Sequence, residues 1–389
     1  MRVQDIVAKA VAEQISWLDA ERILGYSARH VRRLRHRCTV DCVEGLRDRR
    51  AGRAMPGRIE PDMVREIQHL RQSKYFDFNI QHFHEKLVEE HKMKVGYTFV
   101  KNLLQATGMA EKAKARGKHR RKRERRPMVG MMLHTDGSTH AWLGPEKGDR
   151  DLVALLDDAD SRVLWGQFVE EEDTRSCLRG IEAVIQARGL FSELYTDKGS
   201  HFVYTPKAGH TERGHTQIER VLKGLHVRLI VADSPQARGR MERHWRTDQG
   251  RLPQELRVAG ITTWEAANRY LDEVFWPDIN RKFTVEPQSS GSGFVPLVGI
   301  DVSRACALEH EVTVAPDNCV RWHNAYWQVP PHPSRPSFAK CKAVLVEYLD
   351  GRIDIEYGPH TIARFDKDGE PIEESGSVRR RATPSASLA

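Results

Sequence analysis

The chain has 389 residues and a net charge of +8, with 62 Lys and Arg residues against 54 Asp and Glu residues. This length predicts about two to four domains, with enough chain for a sizeable hydrophobic core. The excess of basic residues favours a polyanionic partner. Nothing resembles a signal peptide, and no apolar run approaches the ~20 residues that span a bilayer, so we expect a cytoplasmic protein without a membrane partner. The six cysteines have no zinc-ligand spacing and are expected to be reduced thiols.

Residues 1–46 predict a helix-turn-helix domain. Leu18–Leu24 forms a short amphipathic helix, and after a turn Ser27 caps a second helix. Val31 and Leu34 of the second helix are expected to point inward. The opposite face would then present basic residues to a DNA major groove: Arg29, Arg32, Arg33 and His36. An ordinary basic surface helix is the alternative.

A basic linker at 47–60 leads into a second helical, helix-turn-helix-like domain at 61–111. Its exposed residues are only mildly basic, and Lys101 is the clearest candidate for DNA contact. Residues 112–127 form another linker with a dense positive charge. Like charges this close repel one another unless phosphate neutralises them, so we expect this linker to contact DNA rather than to be merely solvated. The expected contacts are Lys118, Arg120, Arg121, Lys122, Arg123, Arg125 and Arg126.

Residues 128–282 alternate between apolar runs of strand length and stretches with helical periodicity. The pattern predicts strands at 129–136, 152–156, 163–169, 193–196 and 227–231, and helices at 174–188 and 216–224. Three early strands followed by alternating helices and strands predict an α/β domain, in which a mixed sheet is flanked by helices.

Three carboxylates of this domain stand where metal ligands are expected. Asp136 ends an apolar stretch and Asp197 follows a short one, which predicts that both lie at strand ends beside glycines. Glu242 lies where a Pro- and Gly-bearing loop gives way to a helix. Mg²⁺ prefers hard oxygen ligands, and two ions about 3.5–4 Å apart stabilise the attacking and leaving oxygens of a phosphoryl transfer. The neighbouring Asp157 and Asp158 are interpreted as structural rather than metal-binding.

Two further groups of polar residues border these acids. Arginines around Glu242 are expected to hold backbone phosphates: Arg238, Arg240, Arg243 and Arg246. Histidines surround a polar, turn-rich segment at 203–214, which we interpret as a surface insertion: His201, His210 and His215. Because the segment has no cysteine and no paired histidine spacing, zinc is not expected there.

The chain changes character after residue 282. Residues 283–310 are rich in Pro, Ser and Gly and are interpreted as a linker. Short alternating runs at 311–365, with a turn at Asp350 and Gly351, predict a small β barrel. The charged, Ser-rich segment 366–389 is expected to be a disordered tail.

Five stretches together carry a family resemblance: His134–Trp142, Leu155–Ala159, Tyr195–Phe202, Ser234–Arg243 and Asn280–Phe283. They resemble the DDE transposases of bacterial insertion sequences that have a retroviral-integrase-type catalytic core, most nearly the ISNCY-type group. The resemblance implies an RNase H-like fold for the central domain. It also implies that the three acids, Asp136, Asp197 and Glu242, are catalytic and bind two Mg²⁺ ions, for which Mn²⁺ would substitute.

The same resemblance implies a function and partners. The helical N-terminal domains would bind the terminal inverted repeats of an insertion sequence, and the core would cleave double-stranded DNA and join it to a target. Because two ends must be cut and joined together, a homo-oligomer, dimeric or larger, is expected in the synaptic complex. The C-terminal barrel would contact DNA or neighbouring protomers. Forty-four residues separate Asp197 from Glu242, more than is usual in the wider superfamily.

Two other functions remain open from the residues alone. A DNA-binding repressor with an inactive core would need only the basic helical domains. An RNase H-type nuclease would cleave without joining strands, and it would have no need for domains that read terminal repeats. Strand-transfer products distinguish a transposase from both.

Overall fold

The structure is a computed structural model that describes residues 3–46, 59–112, 123–204, 214–232, 239–333 and 335–372. The chain divides into two compact units, residues 1–70 and 71–389. The described helices are α1 (Val3–Val11), α2 (Trp17–Leu24), α3 (Ala28–Asp41), α4 (Pro61–Ser73), α5 (Ile80–Glu89), α6 (Tyr97–Ala106), α7 (Thr174–Arg188), α8 (Gln217–Gly224), α9 (Gly239–Gln249), α10 (Leu252–Val258), α11 (Trp264–Tyr270), α12 (Trp276–Phe283) and α13 (Val302–Cys306). The described strands are β1 (Leu133–His140), β2 (Arg150–Asp157), β3 (Val163–Val169), β4 (Glu193–Thr196), β5 (Arg228–Val231), β6 (Leu308–Thr313), β7 (Cys319–Trp322), β8 (Ala325–Gln328), β9 (Lys342–Glu347), β10 (Ile353–Tyr357) and β11 (His360–Phe365). None of these helices combines the length and apolar character that crossing a bilayer requires.

The N-terminal unit begins with helices α1 to α3, of which α1 was not predicted. Ile6, Ala10 and Ala20 of α1 and α2 form a small buried cluster. Gly25 ends α2 with a φ of 66°, a left-handed conformation that glycine adopts without steric cost. Val31 and Leu34 of α3 are buried, as their spacing predicts. The predicted helices on both sides of Gly25 are therefore present, although the side chain of Ser27 makes no cap hydrogen bond.

A five-stranded sheet forms the centre of the second unit, in the order β3-β2-β1-β4-β5. β1 pairs antiparallel with β2, and β2 with β3, whereas β4 is parallel to both β1 and β5. One face is covered by α7 and α8 through an apolar cluster that includes Leu155 and Ile181. The other face is covered by α9 to α12 through a cluster that includes Leu156 and Trp245. The predicted mixed sheet flanked by helices is confirmed.

The segment 71–112 is part of this second unit and contacts the helices that follow the sheet. Arg251, only 5% exposed, donates two hydrogen bonds to Glu85 of α5 at 2.7 and 2.9 Å. His82 Nε2 lies 2.6 Å from Glu255 Oε1. Burial would raise the pKa of Glu255, but hydrogen bonds from His82 and Lys86 outweigh it and lower this pKa to about 2. A buried ionic network thus attaches α5 to α10.

Several apolar residues of the segment 283–310, which its Pro, Ser and Gly content predicts to be a linker, contact the core, although most of residues 283–300 are exposed. Phe294, Leu297 and Val302 pack against the α7 and α8 face of the sheet. Leu190 and Val295 form an isolated bridge across this contact. These contacts tie the segment to the domain at a few points, and burial becomes complete only at Cys306, where α13 ends.

The C-terminal region contains a four-stranded antiparallel sheet, β11-β10-β9-β6, and a hairpin of β7 and β8. Both pack on one apolar cluster that includes Val320, Leu345 and Ile355. The strands are those of the predicted barrel, but the hydrogen bonding of the described residues does not close into one, so the barrel remains a prediction. Residues 366–372 form an ordered turn in which Ile372 N donates to Arg364 O at 2.9 Å, whereas the rest of the predicted tail lies outside the described residues.

Candidate active site

Asp136 lies inside β1 rather than at its end. The strand begins at Leu133 and continues through polar residues to His140, because β2 supplies a hydrogen-bonding partner along its whole length. The side chain of Asp136 is 7% exposed, and its Oδ2 accepts a hydrogen bond from Trp245 Nε1 at 3.0 Å. The prediction of a strand end was wrong here. The indole fixes the orientation of the carboxylate.

Asp197 follows β4 directly, as predicted. The parallel pairing of β1 with β4 sets Leu133 opposite Leu194 and His134 opposite Tyr195. Asp136 and Asp197 each follow this pair by two residues, so the parallel strands direct both aspartates towards the same edge of the sheet. Asp197 Oδ1 accepts the backbone N–H of Gly199 at 2.8 Å, which holds the carboxylate in its turn.

Glu242 is an exposed residue in the first turn of α9. Met241 and Trp245 of this helix are buried in the cluster that covers the sheet. Gln249 Nε2 donates to Ser138 Oγ at 3.0 Å, so α9 lies along β1. Glu242 therefore lies on the same helix as Trp245, three residues later, which contacts Asp136.

The spacing of the three acids bears on how they would hold metal. Among the described residues, a different group, Glu172, Cys177 and His201, has three metal-ligating atoms all within 4.8 Å of one another. Asp136, Asp197 and Glu242 do not form such a close group. One ion at about 2.0–2.1 Å from an oxygen of each acid would need them closer together. Two ions about 3.5–4 Å apart, each held by part of the set, suit a wider spread.

A second buried carboxylate, Asp158, organises the residues around the acids. Its Oδ1 lies 2.7 Å from His134 Nε2 and accepts hydrogen bonds from Arg123 and Arg240. Its Oδ2 accepts the backbone N–H of Arg126 at 2.6 Å. We call Asp158, His134, Arg123 and Arg240 the Asp158 cluster. Because Arg240 is two residues before Glu242 and His134 two before Asp136, the cluster anchors the segments that carry both acids.

Burial and charge set the protonation states of the cluster. Burial, with Arg123 and Arg240 nearby, lowers the pKa of His134 to about 3, so this imidazole is neutral at physiological pH. Burial, followed by repulsion from Arg123 and Arg125, lowers the pKa of Arg240 to about 10. The negative charge of Asp158 thus compensates the positive charges of Arg123 and Arg240, which would otherwise repel each other in a buried position. Asp157 accepts N–H groups from Gly130 and Ala159, which gives both neighbouring aspartates structural partners.

The predicted DNA-contacting residues fall into three groups. Those on α3 are exposed and, with Arg37, line a shallow depression: Arg29, Arg32, Arg33 and His36. Lys101 on α6 and Arg243 and Arg246 on α9 are exposed too. Lys118, Arg120, Arg121, Lys122 and Arg238 lie outside the described residues. The remaining four have partners within the protein: Arg123 and Arg240 on Asp158, Arg125 on the carbonyl of Asp158, and Arg126 on Glu193.

Two contributors to the site were missed in the sequence. Trp245 was assigned to the apolar face of its helix, and nothing in its spacing indicates that its N–H would reach Asp136. Glu172 stands in a run of three glutamates that is typical of a solvated loop. Its side chain instead lies against Gly137 of β1, so closely that a Cβ at this glycine would clash with Glu172 Oε2.

Comparisons with known proteins bear on the family. No protein-family model matches the chain. The predicted transposase y4bF of Sinorhizobium fredii is 29% identical over 293 residues, which cover 75% of this chain and 64% of that protein. The transposase for insertion sequence IS1202 of Streptococcus pneumoniae is 28% identical over 264 residues, which cover 58% of this chain and 55% of that protein. The chain is similar in sequence to these two transposases.

The resemblance seen in the sequence motifs is thereby confirmed, and the chain spans less than two thirds of the length of either relative. Among solved structures, a simian T-cell lymphotropic virus intasome in complex with PP2A regulatory subunit B56 gamma has a TM-score of 0.35 and 13% identity, over 67% of this chain and 85% of that one. The HTLV-2 integrase catalytic core domain in complex with magnesium has a TM-score of 0.29 and 13% identity, over 38% of this chain and 89% of that one. For this chain, the fold of the central domain is given by the strand order and register of its sheet.

Proposed function

We propose that this protein is a DDE transposase, which cleaves DNA at the ends of an insertion sequence and transfers the cut strand to a target. The observation that carries the proposal is the parallel register of β1 with β4, which pairs His134 with Tyr195, two residues before Asp136 and Asp197. α9 runs along β1 and carries Glu242 in its first turn. The relatives named above are transposases, which supports the same chemistry.

The three acids would hold two Mg²⁺ ions, with Mn²⁺ able to replace them. The fit rests on the ligand chemistry, because all three side chains offer hard oxygen atoms. Trp245 engages Oδ2 of Asp136 and Gly199 engages Oδ1 of Asp197, and these bonds orient both carboxylates. When bound, the ions would stabilise the attacking and leaving oxygens of an in-line displacement.

The proposed reaction has two phosphoryl transfers at this one site. In the first, water attacks the phosphodiester at the element end and the departing oxygen becomes a 3′-hydroxyl. In the second, that 3′-hydroxyl attacks a phosphodiester of the target, so that one bond forms and one breaks in each step. No covalent protein intermediate is needed. The chain's own acids orient the reactants, and the exposed Arg243 and Arg246 beside Glu242 are placed to hold backbone phosphates.

The N-terminal helices would supply recognition. α2 and α3 on either side of Gly25 have the order of a helix-turn-helix, and the exposed arginines of α3 are proposed to enter the major groove of the terminal inverted repeats. α5 and α6, with Lys101, would add a second DNA contact. Two ends must be processed together, so a homodimer or larger complex is proposed to form on DNA. The C-terminal strands, as a small barrel, would contact DNA or a neighbouring protomer.

Cleavage and strand transfer by Asp197→Asn and wild type test the proposal. Labelled duplexes that carry candidate element ends are incubated with target plasmid and Mg²⁺, and nicked and joined products are separated. Asp197→Asn is expected to lose more than about 100-fold in both products, because even residues that only orient metal ligands cost 10–100-fold. Asp149→Asn, a change of an exposed acid before β2, is the matched control and should retain activity.

The two alternative functions give different products. A nuclease would nick without joining, and a repressor would bind the duplex and do neither. Full activity of purified Asp197→Asn would show that Asp197 is not a ligand of the reacting site.

A further inference from the structure

A second cluster of metal-ligating side chains borders the proposed catalytic acids. Glu172 lies in the segment between β3 and α7, Cys177 in the first turn of α7, and His201 in the turn after Asp197. His201 Nε2 is 3.3 Å from Glu172 Oε1, and Cys177 Sγ is 3.6 Å from the same oxygen. One oxygen, one nitrogen and one sulfur thus face a common point, all within 4.8 Å of one another.

These separations match the edges of a zinc coordination tetrahedron. Zinc lies about 2.0 Å from oxygen, about 2.0–2.1 Å from imidazole nitrogen and about 2.3 Å from thiolate sulfur. The corresponding tetrahedral edges are about 3.3 Å between oxygen and nitrogen and about 3.5 Å between oxygen and sulfur. The two separations agree with these edges within about 0.1 Å, and the third, between nitrogen and sulfur, is within 4.8 Å.

We propose that Glu172, Cys177 and His201 bind one Zn²⁺ ion, with water as the fourth ligand. The ligand set separates this ion from the Mg²⁺ pair, because thiolate and imidazole select zinc over magnesium. The sequence disfavoured zinc near His201 for lack of a neighbouring cysteine, and folding supplies Cys177 from α7. The proposal stands on these three residues and does not depend on the transposase activity.

Protonation and access decide when an ion can bind. Cys177 is fully buried, and its thiol donates to Glu172. Burial, with the charge of Glu172, raises the pKa of this thiol well above its usual value, so the ion must displace the thiol proton to solvent and its affinity should rise with pH. The side chains of Glu172 and His201 are 20% and 16% exposed, which leaves a path for the ion and for the water ligand.

The ion would connect three elements around the catalytic acids. The Glu172 side chain packs against Gly137, the residue after Asp136, so closely that a Cβ there would clash with its Oε2. A Cβ at Gly199 would lie 2.9 Å from the ring of His201 and 3.0 Å from Asp197 Oδ1. The site therefore borders β1 on one side and the Asp197 turn on the other. Bound zinc would hold that turn against the start of α7.

Cobalt titration of the full-length protein tests the site, because four-coordinate Co²⁺ reports its ligands by absorption. Reduced, metal-free wild type is expected to bind one equivalent, with a near-ultraviolet thiolate-to-cobalt charge-transfer band and intense visible bands, and Zn²⁺ should abolish both. Cys177→Ser should lose the charge-transfer band, whereas Cys341→Ser, the matched control in the C-terminal sheet, should keep it. No thiolate band in wild type, or a band that survives in Cys177→Ser, overturns the proposal.

Further variants separate this site from misfolding and from the catalytic acids. Circular dichroism checks that Cys177→Ser is folded, and His201→Asn at a half-buried position should weaken cobalt affinity more than about tenfold. Glu172→Gln should weaken it too, while Glu171→Gln, a change of an exposed neighbour, should not. Unchanged affinity in His201→Asn contradicts the site. Asp197→Asn should keep the charge-transfer band, and its loss there would overturn the claim that these three residues bind the ion without the catalytic acids.

Discussion

Asp158→Asn is predicted to destabilise the central domain more than any exposed charge change. The Asp158 side chain is fully buried, and its carboxylate compensates Arg123 and Arg240 while it contacts His134. Asn has nearly the same shape but no charge. It would leave Arg240, whose side chain is 14% exposed, next to Arg123 without an anion between them.

The magnitude follows from the cost of an uncompensated buried charge. Removal of one partner of a buried ion pair costs about 3–5 kcal/mol. We take the lower end, about 3 kcal/mol, because Arg123 is 37% exposed and therefore partly screened by water. For a domain of this size each kcal/mol shifts the melting temperature by about 2–4 °C, so a decrease of about 6–12 °C is expected.

Thermal unfolding followed by near-ultraviolet circular dichroism measures the effect. Asp350→Asn is the matched control, since Asp350 pairs with Arg352 on the surface and the two side chains are 56% and 46% exposed. The control should melt within about 2 °C of wild type, because exposed pairs contribute about 0–1 kcal/mol. If Asp158→Asn also melts within about 2 °C of wild type, the Asp158 cluster does not stabilise the domain and the reasoning fails.

Three other perturbations test the remaining contacts. Trp245→Phe keeps an aromatic ring in the core but removes the N–H that donates to Asp136. Strand cleavage should therefore fall about 10–100-fold while duplex binding is retained. An unchanged cleavage rate would contradict the positioning role of Trp245. Arg251→Met leaves Glu85 without its two hydrogen bonds and should cost about 3–5 kcal/mol; equal urea midpoints for mutant and wild type would argue against a buried network. The pKa of His134 is lowered to about 3, against about 6.5 when unfolded, so the unfolded chain binds the proton first and stability falls as pH drops from about 6.5 towards 3. Between pH 7 and 5 the melting temperature of wild type should therefore decrease more than that of His134→Asn, and parallel decreases would rule out this titration.

Elements with strong local signals were predictable to the residue. β3, β4 and α7 have the predicted bounds, because alternating or helical apolar spacing extends over each of them and ends at polar residues. β1 is displaced: the apolar run before Asp136 predicts a strand at 129–136, whereas the observed strand is Leu133–His140. Its second half is polar, and it is a strand because β2 pairs with it throughout.

At the candidate site, too, local features were predictable from the sequence, and contacts between distant residues were not. The three acids are predicted from their local contexts, and the contexts of Asp197 and Glu242 agree with the structure, whereas Asp136 lies inside its strand. The partners of those acids were not, because Trp245, Gly199 and the Asp158 cluster reach them through contacts made by folding. Arginines that look available for DNA in a basic run, such as Arg123 and Arg125, turn out to be hydrogen-bonded to Asp158.

The sequence by itself determined the types of the central elements and the alternation that builds a mixed sheet, and it singled out the three acids as candidates. These depend on periodicity and on residue chemistry, which are local properties. The tertiary structure alone decided that Phe294 and Leu297 contact the sheet, that Asp158 holds arginines from two distant segments, and that Cys177 meets His201 and Glu172. Such contacts depend on which distant residues the register of the sheet and the packing of helices bring together, and no local pattern records that.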